Sequence, residues 1–94
     1  MAGLTVALSL ARKGISSDII EQAPQLGEVG AGLQLSPNAT RVLDVLGILP
    51  ELERHWFEPN AIALVSETDL RPLTAVPAGA FARQRWGHPY GVLH

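Results

Sequence analysis

Two residues of this 94-residue chain stand at a spacing that can serve a dinucleotide. Gly3 directly precedes an apolar run, and Glu21 closes the next β-like segment. In a dinucleotide-binding fold the third glycine of G-x-G-x-x-G lets helix and strand pack closely. The helix amino terminus faces the pyrophosphate, and an acid about 20 residues on accepts hydrogen bonds from the ribose hydroxyls. Gly3 fits the third glycine only; the two that let phosphates approach the backbone are expected before Met1. A plainer account, an ordinary glycine before a helix and a solvated strand end, explains the pair equally well.

The other chemistry-bearing residues read as structural. His55, His88 and His94 are far apart and lack an i, i+4 partner or a carboxylate at ligand spacing, so no metal site is expected. Ser36 has no G-x-S-x-G frame, and a helix-capping role accounts for it. Glu51 and Glu53 read as a solvated helix face. Trp56, Phe57 and Trp86 read as core or domain-contact residues, because no basic residues interleave with them as in a base-stacking platform.

The elements that would position these residues follow from periodicity. Between Gly3 and Lys13, Leu4, Ala7, Leu8 and Ala11 keep the i, i+3, i+4, i+7 rule of a helix, with Val6 and Leu10 widening its apolar surface. Arg12 and Lys13 suit the negative end of its dipole, and Gly14 can close it in the left-handed conformation. Ser16 to Glu21 predicts a short strand, with Ile19 and Ile20 β-branched. Helix followed by strand is half of a βαβ unit, whose first strand is expected upstream.

Ala23 to Leu35 carries a proline and three glycines, Gly27, Gly30 and Gly32, and predicts a loop extended at Leu33 to Leu35. Ser36 as N-cap and Pro37 as first helical residue open a helix whose Ala39, Val42, Leu43 and Leu46 keep helical spacing until Gly47. Pro50 begins a short helix to about His55. Ala61 to Glu67 and Leu70 to Val76 predict a hairpin turning at Thr68 and Asp69, with Pro72 favouring an edge. Pro77 to Pro89 reads as irregular or briefly helical, and Tyr90 to Leu93 as the start of a strand.

Composition narrows the partners. Hydrophobic residues make up 47% and charged residues 17%, with a net charge of −2 and no basic stripe, so nucleic acid is not an expected partner. The absence of cysteine removes disulfides, thiolate metal sites and thiol catalysis, and agrees with the reducing cytoplasm where the chain is expected to reside. The apolar run Leu4 to Ala11 is too short for a bilayer, which needs about 20 residues, and its cations follow it, unlike a signal peptide. A chain this short buries only roughly 60 to 65% of its unfolded surface, so no large active-site cavity of its own is expected.

The segment Glu21-Gln22-Ala23-Pro24, then Gly27-Glu28-Val29-Gly30-Ala31-Gly32-Leu33-Gln34-Leu35-Ser36-Pro37-Asn38-Ala39, closely resembles the salicylate hydroxylase-like group of FAD-dependent aromatic-ring monooxygenases. The likeness continues through Arg41 to Gly47 and through Leu73 to His94, where Pro89, Tyr90, Val92, Leu93 and His94 look like the approach to that family's His-Arg-x-Asp-Leu motif. The resemblance implies an α/β fold: an incomplete Rossmann-like FAD-binding domain over residues 1–94, with a β-hairpin from the adjoining region. It implies that the helix opening at Ala2 and Gly3 faces the FAD pyrophosphate and that Glu21 binds the adenosine ribose with Gln22 beside it. It places the Gly30-Ala31-Gly32 backbone toward the flavin and the Gln34 side chain near flavin and substrate. Some relatives carry a histidine base at that position; glutamine takes no proton at neutral pH, so Gln34 reads as a hydrogen-bonding residue and no catalytic residue is assigned. Ser17 stands where relatives carry an apolar strand residue, which weakens the strand.

The resemblance further implies a small aromatic substrate such as a hydroxybenzoate or salicylate-like acid, with NAD(P)H as co-substrate. The expectation is a piece of such an enzyme, catalytically inactive alone and weak or deficient in FAD binding. Two readings stand beside it. The low charge and apolar first helix suit a noncatalytic module that self-associates or assembles with a separately encoded remainder. A compact NAD-specific protein would fit Gly3 and Glu21 but leaves Gly30 to Ala39 unexplained.

Overall fold

A computed structural model describes residues 2–25, 27 and 32–93. Helix α1 spans Ala2–Ala11. Its alanines and leucines favour the helix intrinsically, and the chain leaves it through a turn at Gly14, whose φ of 74° is the left-handed conformation expected there. None of its residues is buried. Leu4, Val6 and Leu8 remain 40 to 58% exposed, as an element apolar around most of its circumference must be when it is only partly covered.

The strand expected over Ser16 to Glu21 does not form: residues 15–22 belong to no helix or ladder. A strand exists only through a partner for its amides and carbonyls, and among the described residues no segment pairs with this one. Ile20 is left 93% exposed.

The packed part of the molecule lies further along. Strand β1 (Leu33–Leu35) leads into α2 (Pro37–Val45), where Pro37 occupies the first turn as expected. Ser36 has the extended backbone of an N-cap, but its hydroxyl makes no capping bond and donates to Asn38 Oδ1 instead. Gly47, at φ 80°, ends the turn after α2. Helix α3 (Leu49–Leu52) continues as turns to His55 and gives way to a two-residue strand β2 (Trp56–Phe57) absent from the sequence reading.

The hairpin forms as β3 (Ala61–Val65) and β4 (Pro72–Pro77), shorter than expected, with a six-residue connection over 66–71 and a register shift beside Val65. Pro72 is tolerated because both strands of a two-stranded sheet are edges. The stretch read as irregular or briefly helical contains an eight-residue helix, α4 (Gly79–Trp86), closed by Gly87 at φ 75°. Strand β5 (Gly91–Leu93) completes the fold at the position expected.

The sheets are antiparallel. β5 is central in the order β1-β5-β2, with Leu33 opposite Leu93, Leu35 opposite Gly91 and Trp56 opposite Leu93. Leu35, Leu43 and Leu49 form the core beneath this sheet, joined by Ala39, Ile48, Leu52, Trp56 and Leu93. The fold is therefore mixed α/β, and the parallel βαβ pairing expected of a dinucleotide domain is not formed by the described residues. The radius of gyration, 16.4 Å, exceeds the roughly 12 Å of a compact chain this long. Its accessible surface, 7512 Å², exceeds the roughly 5200 Å² expected from mass.

Candidate functional site

The alternation of β1 sorts its side chains onto two faces. Leu33 and Leu35 share the face of Gly91, Leu93 and Trp56, which covers the core. Gln34 stands on the other face with its partner Val92 and, across β5, Phe57, which is 68% exposed. This second face is open to a ligand.

Close packing from below holds β1 and β5 in place. A Cβ on Gly91 would lie 2.2 Å from Trp56 Cε3, so the indole occupies the space that any larger residue would need. A Cβ on Gly32, at φ 148°, would come within 3.0 Å of the Leu93 carbonyl oxygen. The glycine at 32 therefore serves β5 at least as directly as any ligand. Thr40, fully buried, donates its hydroxyl to the Pro89 carbonyl at 2.8 Å, which ties α2 to the segment entering β5.

On the open face the Tyr90 hydroxyl donates to Gln34 Oε1 at 2.6 Å. Sequence reasoning found Gln34 and missed Tyr90, although Tyr90 lay inside the motif approach that carried the resemblance. The pair gives the face one fixed amide, whose Nε2 remains a donor, beside the apolar Val92 and Phe57.

The other expected ligand residues lie elsewhere. Ala2 and Gly3 open α1 and are exposed. A Cβ on Gly3 would meet nothing within 4 Å, so the space by this helix end is free. Gly3 edges a groove of about 290 Å³ whose walls include Val6, Leu10, Ile19 and Ile20. Glu21 is engaged locally, accepting the Ala23 amide at 2.9 Å, and Gln22 is exposed beside it. Among the described residues no hydrogen bond joins Glu21 to the start of α1. Gly30 and Ala31, expected to approach the flavin, lie outside the described residues, as do Met1 and His94.

These features fit a flavin dinucleotide in part. The open glycine at a helix amino terminus suits a phosphate, and the flat, half-apolar face with an amide donor suits a ring bearing carbonyl acceptors.

Two readings of other polar residues are corrected. Glu51 does stand four residues before His55, and its Oε1 lies 3.4 Å from His55 Nε2, although no group of three metal-ligating residues exists among the described ones. Glu53 is not simply a solvated face: with Glu58 it accepts from the Arg83 guanidinium, at 3.0 and 2.6 Å. The hydrogen bond to Glu58 leads in holding the Arg83 pKa above the usual guanidinium value, with Glu53 adding to it against partial burial. His88 places Nε2 3.3 Å from Asp44, and its buried Nδ1 has no partner among the described residues. Phe57 and Trp86 are largely exposed, Trp86 meeting Phe81 edge to face at 5.7 Å. No helix among the described residues is long and apolar enough to cross a membrane.

No protein-family profile matches the chain. Curated relatives do. The chain is 39% identical over 94 residues to a 3-hydroxybenzoate 6-hydroxylase of Polaromonas naphthalenivorans, covering all of this chain and 24% of that protein. It is 43% identical over 93 residues to a 3-amino-4-hydroxybenzoate 2-monooxygenase of Streptomyces platensis, covering 99% of this chain and 24% of the relative. An FAD-dependent monooxygenase of Beauveria bassiana is 46% identical over 64 residues, 68% of this chain and 15% of that one. The chain thus spans about a quarter of the length of the first two relatives.

Proposed function

We propose that the chain is part of the FAD-binding domain of an aromatic-ring monooxygenase that uses NAD(P)H to hydroxylate a hydroxybenzoate or salicylate-like acid, given its likeness along its whole length to relatives named as hydroxybenzoate hydroxylases and monooxygenases and over 68% of the chain to one named as FAD-dependent. The observation that carries this reading is identity of 39 to 43% spread over essentially all of the chain, to relatives whose names specify hydroxybenzoate chemistry. In such an enzyme the flavin supplies the oxygen-transfer chemistry, and the protein binds, orients and shields.

The proposed roles are those that the family resemblance implies. Ala2 and Gly3, at the open amino end of α1, would receive the pyrophosphate as helix α1 packs in a Rossmann-like unit. Glu21, with Gln22 adjacent, would exchange its local bond to Ala23 for the ribose hydroxyls. Gly32 would keep β1 close to β5, so that Gln34 presents its amide on the open face toward the flavin and a small aromatic substrate. The composition and lack of cysteine suit a cytoplasmic setting.

The test grafts residues 2–93 into the matching quarter of the Polaromonas relative. FAD retained by the purified graft is the expected result. A graft that folds yet holds no flavin sinks the reading. These 94 residues by themselves should bind FAD only weakly, since they span about a quarter of the length of the relatives; tight stoichiometric quenching of flavin fluorescence would show that this span suffices for the site.

A second reading rests on a different observation, the apolar surface of α1 and residues 15–20, where Leu4, Val6, Ile15 and Ile19 are each at least half exposed. Such a patch promotes association, and a noncatalytic module that self-associates or joins a separately supplied remainder would use it. A concentration-independent monomer in light scattering would count against this reading.

A further inference from the structure

We infer that Tyr90 is a positioning residue for Gln34: its hydroxyl fixes the Gln34 amide so that Nε2 is offered, as donor only, to a carbonyl or oxyanion acceptor of a ligand on the open face of the β1-β5-β2 sheet. This rests on the flavin-facing reading of Gln34 given above.

A glutamine side chain carries an acceptor oxygen and a two-proton donor nitrogen, and free in solution it can present either. The 2.6 Å bond from Tyr90 occupies Oε1, and the amide plane then directs Nε2 away from the tyrosine. With one of the two Oε1 lone pairs taken and both Nε2 protons free, an exposed amide that could rotate to suit any ligand becomes one that favours acceptors over a competing N–H donor.

The framework around the pair is rigid enough for this to matter. Gln34 sits opposite Val92 in the ladder, so its backbone cannot shift without breaking the β1-β5 pairing. Tyr90 is held from below, because the neighbouring Pro89 carbonyl accepts the buried Thr40 hydroxyl, and from ahead, because Gly91 is seated against Trp56. The tyrosine ring thus reaches Gln34 from a segment fixed on both sides. The contact joins residues 56 positions apart, and the apolar Val92 and Phe57 beside it make the face suitable for a planar ring whose edge carries acceptor oxygens. An isoalloxazine, with two ring carbonyls, has that chemistry.

The experiment uses the 94-residue chain labelled with ¹⁵N and compares wild type, Tyr90→Phe, Gln34→Leu and the double variant, free and titrated with FAD. In the free wild type the Gln34 side-chain NH₂ pair should be motionally restrained, and Tyr90→Phe should release it while leaving the backbone amides of α2 and β5 in place. On titration, Tyr90→Phe and Gln34→Leu should each weaken FAD binding about three- to tenfold, the range of one hydrogen bond. The double variant should be no weaker than Gln34→Leu alone, because both remove one coupled interaction.

A Gln34 NH₂ pair unchanged in Tyr90→Phe overturns the inference, as does a double variant whose loss is the product of the two single losses. If wild type shows no FAD-dependent shift around Gln34 even at FAD concentrations high enough to detect weak binding, the ligand-facing half of the inference falls, while the flavin reading itself is decided by the graft. The spectrum of the free chain still decides whether Tyr90 orients Gln34.

Discussion

The β1-β5-β2 sheet and the β3-β4 hairpin are both short, antiparallel and rich in apolar residues, yet only the first has a buried face. Leu35 is 4% exposed, whereas Ile62, Leu64 and Val76 of the hairpin are 37 to 57% exposed. Apolar content is not what separates them. The first sheet has α2 and α3 beneath it, which contribute Leu43 and Leu49, and a glycine that admits the Trp56 ring. The hairpin has its own turn and its own ladder, and among the described residues nothing is laid over either face. A two-stranded hairpin is marginal in water without such cover. The open face with Gln34 and Tyr90 lies on the sheet that is supported, as a site requiring fixed geometry should.

The sharpest way to break this comparison is Gly91→Ala. The added methyl would enter the Trp56 ring at 2.2 Å, and overpacking of a seated core ring costs about 1 to 3 kcal/mol. With so few buried residues, a loss at the upper end should unfold the supported half at ambient temperature, read as a collapsed urea midpoint in circular dichroism. Ala63→Val in the hairpin adds more volume at an exposed position and should move the midpoint by less than about 0.5 kcal/mol. Equal effects at the two positions would mean that the sheets do not differ as described.

Thr40→Val tests the same support from the polar side. The substitution keeps the shape, removes the donor, and leaves the Pro89 carbonyl buried without its 2.8 Å partner, at a cost of about 1 to 3 kcal/mol. Chemical denaturation should show the loss, and Thr40→Ser should recover most of it. A Thr40→Val chain as stable as wild type would show that the segment entering β5 is not anchored through this bond.

The same contrast explains what was legible in the sequence. Helix α2 was readable because its signals are local: Ser36 and Pro37 at one end, Gly47 at the other. Even there the cap was half right, since the Ser36 hydroxyl turns to Asn38. The pairing of β1 with β5 was not readable, because it joins residues far apart and depends on Gly91 fitting Trp56. Residues 15–20 show the converse failure, β-branched Ile19 and Ile20 suggesting a strand that has no partner among the described residues. At the candidate site Gln34 was reached through the family resemblance, and its partner Tyr90 was missed because a contact across 56 positions leaves no local pattern.

The unsupported hairpin should respond to its turn more than to its faces. Leu70 holds φ at 55°, the left-handed region that costs a side-chain-bearing residue about 1 to 2 kcal/mol. Leu70→Gly removes that strain, and the extra freedom glycine gives the unfolded chain offsets part of the gain. A net stabilisation of up to about 1 kcal/mol is expected, seen as slower amide exchange at Ile62 and Val76 with no change at β5. Faster exchange in the variant would place the limit on the hairpin in its missing cover and not in its turn.

The smallest effect expected is a pH dependence confined to this turn. The Asp69 carboxyl is held below its ordinary value of 3.8 by the Ser66 hydroxyl first and the Arg71 amide second. A carboxylate whose pKa is depressed by folding adds stability that is present above the unfolded value and is lost as pH falls through the folded one. Amide exchange and cross-strand contacts in β3-β4 should therefore hold steady down to about pH 4 and loosen below it, while the β1-β5-β2 sheet shows no step from this group. The side chain is more than half exposed, so the step should be small and weakened by salt. Asp69→Asn keeps an acceptor oxygen and carries no charge at any pH; it should abolish the step. An acid-induced loosening that persists unchanged in Asp69→Asn would assign the hairpin's pH response to another group.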